Sequence, residues 1–232
     1  ARGIATTVNS AVAGFAGNFM TALNPQITKS YAAGDLNYCH SLVERGSRFS
    51  FFIMLIVALP VFLEAEYVLA LWLKQYPPHT VNFVRLVLIL TMVDILSNTL
   101  ITLANATGKI RNYQLGVGLM LLMNFPLSYL CLYLGCPPES TLLVAIGVAV
   151  ACMILRLAFL RKMAHLSMAT FIKNVCIKVV MVAMVASIVP MFLHGILSSG
   201  WERLIVVGGF SVISCLLVIF YLGCNRSEQL LI

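Results

Sequence analysis

Asp94 is the residue whose position most demands a chemical explanation. It stands inside the apolar run at 88–106, with Asn98 at i+4 and Asn105 at i+11 on its helical face and Ser97 and Thr102 alongside. A charge at mid-bilayer costs at least about 2.5 kcal/mol, so an intramembrane acid marks a functional position by default. Two readings of the stripe stand. It is either a hydrogen-bonded seam between helices or the wall of a polar cavity, in which Asp94 would couple an ion or a proton. Arg2, Thr6 and Asn9 repeat at i, i+4 and i+7 and so share a second face. A guanidinium there suits a phosphate or pyrophosphate, to which it donates two parallel hydrogen bonds. The alternative is an arginine reaching out of the membrane to water.

Other chemistry is sparse. His40, His79, His165 and His194 are scattered with no partner at ligand spacing, so no metal site is expected. Seven cysteines, with no CxxC pair, fall mostly in apolar runs, where free thiols act as small hydrophobes. No nucleophile elbow, phosphate loop or paired acidic motif is present, and no catalytic residue or cofactor is expected.

The elements that position these residues follow from composition. Of 232 residues 61% are hydrophobic and 10% charged, with mean hydropathy +0.98. Soluble domains carry about 25% charged residues, so an ordinary soluble globule and a disordered chain are both excluded. Seven runs approach or exceed the spanning length of about 20 residues: 3–27, 48–73, 80–106, 113–135, 140–160, 175–198 and 203–222. The first, with Asn9, Ser10, Asn18 and Asn24, is one that hydropathy alone would miss. The reading is an all-α polytopic membrane bundle of about seven helices. The small/large alternation at Ala145–Ala151 does not make a strand, because in lipid the backbone must close its hydrogen bonds within the segment.

The net charge of +7 is an orientation signal rather than a nucleic-acid face. Lys29, Arg45, Arg48, Lys109, Arg111, Arg156, Arg161, Lys162, Lys173 and Lys178 fall in or beside the odd loops; the even ones hold only Lys74, Arg85 and Arg203. The positive-inside rule puts the odd loops in the cytoplasm, the N-terminus outside, and the tail with Arg226 inside. An odd span count opening in mid-pattern leads us to expect a truncated chain lacking upstream helices.

Secondary expectations concern the flanks. Arg156 reads as a snorkelling cation. Glu64 and Glu66 read as a solvated rim, or else as a cation-attracting pair, beyond a kink at Pro60, with Tyr67 and Trp72 as interfacial aromatics. Pro25 marks a bend or stop of the first span, and Pro126 and Pro190 are hinge positions. The basic segment 161–174 suits an interfacial helix. Gly116, Gly118, Gly208 and Gly209 allow close helix contact.

The segment AsnProGlnIleThrLysSerTyrAlaAlaGlyAsp (24–35) resembles the helix end and cytoplasmic loop in each lobe of the multidrug/oligosaccharidyl-lipid/polysaccharide exporter superfamily. AlaArgGlyIleAla (1–5), LeuTrpLeuLys (71–74), PheValArgLeu (83–86) and AlaThrGlyLysIle (106–110) are similar to further features of its polysaccharide-biosynthesis branch, the Wzx-type lipid-linked oligosaccharide flippases. The likeness covers most of 1–165. It implies two six-helix lobes around a cavity, with residues 1–165 as five helices of the C-terminal lobe and 166–232 as two additional helices and a short tail. It also implies a missing N-terminal lobe as partner, and a multi-pass place in a bacterial cytoplasmic membrane. The implied activity is flipping of undecaprenyl-pyrophosphate-linked sugar units by alternating access, with no covalent step. Arg2 is then the cation nearest the pyrophosphate, and Thr6, Asn9 and Asn98 are polar-lining residues beside Asp94. A drug/cation antiporter of the same fold is the alternative; a membrane polysaccharide polymerase or glycosyltransferase is a more distant one, since such an enzyme would be expected to have a large outer loop or catalytic acids, and the outer loops are only a few residues long.

Overall fold

Residues 1–224 and Glu228 are described in the computed structural model. Helices account for nearly all of them, and among the described residues there is no strand. In chain order they are α1 (Arg2–Ala32), α2 (Leu36–Leu63), α3 (Ala65–Leu73), α4 (Thr80–Ala106), α5 (Ile110–Leu122), α6 (Asn124–Tyr133), α7 (Ser140–Met163), α8 (Met168–Phe171), α9 (Lys178–Ile196) and α10 (Trp201–Val218). A π-helical stretch, Ile172–Ile177, joins α8 to α9, and another, Ile219–Gly223, ends α10.

Six of the resulting rods are long and apolar enough to cross a membrane: α2, α4, α5 with α6, α7, α8 through α9, and α10 with its π end. The seventh expected span, α1, has the length at about 46 Å for 31 residues but is too polar to join them. The chain is an all-α polytopic membrane bundle. Successive rods run antiparallel, so Lys29, Lys109, Arg111, Arg161 and Lys162 gather at one end, called here the basic end.

Several boundaries differ from the sequence expectations. Pro25 neither stops nor replaces α1, which runs on to Ala32. The link to α2 is then only residues 33–35: Gly34 takes φ +78°, a left-handed turn that glycine adopts without strain, and Asp35 caps α2 by accepting from the Tyr38 amide at 3.0 Å. The expected second span breaks at Glu64 into α2 and α3, and the expected fourth breaks at Met123 into α5 and α6. Residues 161–174 are not one interfacial helix. α7 continues to Met163, a turn follows, and a new helix starts at Met168 with Phe171 fully buried. Arg226, which the sequence places in the tail, lies outside the described residues.

α2 is the central post, touching α1, α4, α9 and α10; α4 touches α1, α2 and α7, and α7 carries α5 and α6. The tightest junction is at Gly46, where a Cβ would collide with Leu23 of α1 and Thr99 of α4. Lipid tails are as apolar as leucine, so helices in a bilayer associate through such close packing and through interhelical hydrogen bonds. Both occur here. Next to Gly46, Ser47 donates to the Leu96 carbonyl at 3.1 Å, and Thr99 donates to the Val43 carbonyl at 3.1 Å. Of the glycines singled out by sequence, Gly116 sits against Phe159, whereas Gly118, Gly208 and Gly209 face open space.

Two buried polar knots tie the C-terminal part of the chain to α2, one to α9 and α10 and one to the π stretch and Glu228. At the end opposite the basic one, Glu64 is fully buried and holds His194 Nδ1 at 2.7 Å and Arg203 at 3.0 Å. It is therefore not a solvated rim residue, although Glu66 is exposed. Toward the basic end, Arg48 is 2% exposed and bonds Glu228 at 2.6 Å; Asn174, in the π stretch, donates to Glu44 at 2.9 Å.

Candidate functional site

The site begins with an asymmetry of surface. The outward faces of α6, α9 and α10 are those that lipid covers well, with Phe125, Leu130, Met184, Ile188, Phe192, Ile205 and Leu217 exposed. α1 is different. Around its exposed surface Arg2, Thr6, Ser10, Asn18, Thr21 and Gln26 stand among Ala11, Gly14, Phe15 and Gly17. On α4 the exposed residues are Asn82, Asp94 and Asn105, all polar.

α1 and α4 lie side by side, linked by Thr102 donating to Asn24 Oδ1 at 2.8 Å. α7 flanks α4, bearing α5 and α6 beyond it. The α4 face between α1 and α7 is the floor of a groove. At its end away from the basic one, a cavity of about 400 Å³ is lined by Arg2 of α1, Leu90 of α4, Asn124 and Ser128 of α6, and Thr141 of α7. Asp94 follows Leu90 by four residues, one helical turn along the same face. Asn98 and Asn105 continue it toward the basic end.

Each residue expected to act falls on or beside this groove, in differing roles. Arg2 is exposed and lines the cavity rather than only reaching to water. Thr6 is exposed, but its hydroxyl is donated back to the Arg2 carbonyl at 3.0 Å. Asn9 is half-buried, and its Oδ1 is an unpartnered acceptor among the described residues. Asn98 is half-buried, and its backbone carbonyl accepts from Thr102 at 3.2 Å. The asparagine stripe thus divides: Thr102 and Asn24 form a seam, while Asp94 and Asn105 stay open.

Arg156 was expected to snorkel. Instead it is half-buried in the α7 wall, donating from Nε to the Tyr113 hydroxyl of α5 at 3.2 Å, within electrostatic reach of Asp94. Tyr113 itself is 1% exposed. Sequence reasoning missed Tyr113, Asn124 and Ser128. Tyr113 sits one turn into a span and reads as an interfacial aromatic, and the break that turns Asn124 inward carries only Pro126 as its signal. The groove therefore presents a cation at one end, an acid one turn beyond its cavity and a second cation on its wall. That arrangement gives the groove charges of both signs beside the hydroxyl and amide groups of Ser128, Thr141 and Asn124.

No family model, no curated protein and no solved structure matches the chain.

Proposed function

We propose that the protein flips a lipid-linked oligosaccharide across a bacterial cytoplasmic membrane by alternating access. The observation that carries this reading is the concentration of exposed polar residues on α1 and α4 beside Arg2, against the mainly apolar outward faces of α6, α9 and α10. A surface of Thr, Ser, Asn and Arg is unfavourable against acyl chains. It requires a water-filled passage or another protein surface, and a passage for sugar units is both.

In this scheme the pyrophosphate meets Arg2 through paired N–H donors, sugar hydroxyls exchange water for Asn9, Asn98 and Asn124, and the lipid tail stays in the bilayer. The open side of the groove is where the resemblance to the exporter superfamily would place a second lobe. Substrate then shifts the balance between outward- and inward-open states by binding them unequally. The distribution of Lys and Arg supports an orientation with the basic end in the cytoplasm and the Arg2 end outside.

The drug/cation antiporter remains the second reading, favoured by one observation: the Asp94 carboxylate is exposed in the groove. The test is surface polysaccharide export in cells producing Arg2→Ala in the full-length protein. Reduced export at unchanged membrane abundance supports the flippase; unchanged export removes Arg2 from the site.

A further inference from the structure

On the far side of α4 from the polar groove, two neighbouring cavities share Phe62 and Ile89 in their walls. The first, about 520 Å³, lies at the end opposite the basic one and is lined by His79, Asn82 and Arg85 of the α4 start, Glu139 before α7, and the apolar Phe62 and Ile89. The second, about 310 Å³, shares Phe62 and Ile89 and continues between α2, α4 and α9 past Leu55, Met92 and Ala183 to Phe51. Its lining is entirely hydrophobic in residue type. From Phe62 to Phe51 the α2 floor extends about 16 Å at ~1.5 Å per residue, which is one leaflet of a hydrocarbon core of ~30 Å.

The polar mouth has charges of both signs. Arg85 is anchored by Nε donating to the Phe62 carbonyl at 3.1 Å and by its guanidinium lying 5.7 Å over the Phe62 ring. Its two terminal amino groups have no hydrogen bond among the described residues. Glu139 uses Oε1 to accept from His79 at 2.6 Å and from Asn82 at 3.2 Å. Its Oε2 is buried and without a partner among the described residues. A hydrogen bond from its own backbone, and then those from Asn82 and His79, hold the carboxyl below the usual glutamate range, so at neutral pH it is an anion.

We propose that this paired cavity is a binding site for a zwitterionic phospholipid, phosphatidylethanolamine. Its phosphate sits on the free donors of Arg85, its ammonium pairs with the Glu139 carboxylate at the cavity wall, and one acyl chain lies in the groove under Ala183. The charge pattern selects this lipid. A headgroup with a phosphate and no ammonium meets the Glu139 carboxylate as a like charge with no cation to offset it, which costs affinity. The site is distinct from the polar groove and does not depend on the transport reading.

The test is native mass spectrometry of the purified, delipidated full protein titrated with lipids of identical acyl chains. Wild type should bind phosphatidylethanolamine about tenfold more tightly than phosphatidylglycerol or N-acetylated phosphatidylethanolamine. Glu139→Gln should abolish that preference. Arg85→Gln and the groove-filling Ala183→Phe should each weaken phosphatidylethanolamine at least fivefold, with helicity by circular dichroism unchanged. The wild-type comparison stands even where a variant fails to fold. Equal affinity of wild type for the three lipids, or a preference that survives Glu139→Gln, overturns the proposal.

Discussion

Arg156 of α7 hands its Nε–H to the hydroxyl of Tyr113 on α5 at 3.2 Å, and Asp94 on α4 feels the charge of the same guanidinium. The acid and the base thus lie on the floor and wall of one groove, close enough to interact yet with no direct ion pair among the described residues. A charge pair held apart in this way is a place where a headgroup or an ion can insert. Asp94→Asn and Arg156→Gln should each lower flipping. The double variant should lose less than the product of the single losses, because residues in one network are not additive. Rates in reconstituted vesicles check this; strictly multiplicative losses would separate Arg156 from Asp94.

Whether Asp94 couples an ion is a separate question. The antiporter reading predicts that transport by wild type accelerates under an imposed proton or sodium gradient and that Asp94→Asn removes the acceleration. Equal gradient dependence in the two proteins would make Asp94 a lining residue only.

Glu64 should govern stability rather than transport. Among the described residues its carboxylate is the sole acid in the knot with His194 and Arg203, so Glu64→Gln leaves Arg203 covered and uncompensated. Breaking a buried pair by removing one partner costs about 3–5 kcal/mol, reduced here because His194 is 32% exposed and meets solvent. The expectation is a clear fall in Tm in detergent. The double variant Glu64→Gln with Arg203→Leu should recover part of it.

Gly46 tests the junction of α1, α2 and α4. Gly46→Ala should destabilise by about 1–3 kcal/mol through overpacking, whereas Gly118→Ala, which meets open space, should be neutral or slightly stabilising through helix propensity. Paired thermal melts decide it.

Much of the architecture was legible from residue types alone. Apolar length and the distribution of Lys and Arg located the rods and their alternation, since lipid permits few other solutions for a spanning chain. What escaped was whatever depends on which side of a rod meets a neighbour. Glu64 reads as a rim acid until His194 and Arg203, far along the chain, are brought to it. Gly46 lies outside the expected spans altogether and becomes the closest contact only because α2 starts at Leu36. Arg2, Asp94 and Asn98 were found because polar groups in apolar runs are conspicuous; Tyr113 and Asn124 were not, because nothing in their spacing shows that α5 breaks from α6.

The hydrogen bonds that Glu139 accepts, from its own backbone first and then from Asn82 and His79, give a pH dependence with a definite sign. The folded carboxyl ionises at lower pH than an ordinary glutamate. Its contribution to stability is therefore complete above the unfolded pKa of ~4.3 and is lost as pH falls through the lower folded value. Wild type should lose Tm on acidification through this window more steeply than Glu139→Gln. Parallel curves would show that the latch carries no linkage.

The central claim is that the polar groove passes a lipid-linked oligosaccharide headgroup. The most direct measurement is translocation of a labelled undecaprenyl-pyrophosphate oligosaccharide in proteoliposomes containing the full-length protein, read by its accessibility to an impermeant quencher. The account predicts transfer well above protein-free vesicles, falling at least about tenfold in Arg2→Ala with reconstitution unchanged. Transfer by wild type no faster than in protein-free vesicles would contradict it.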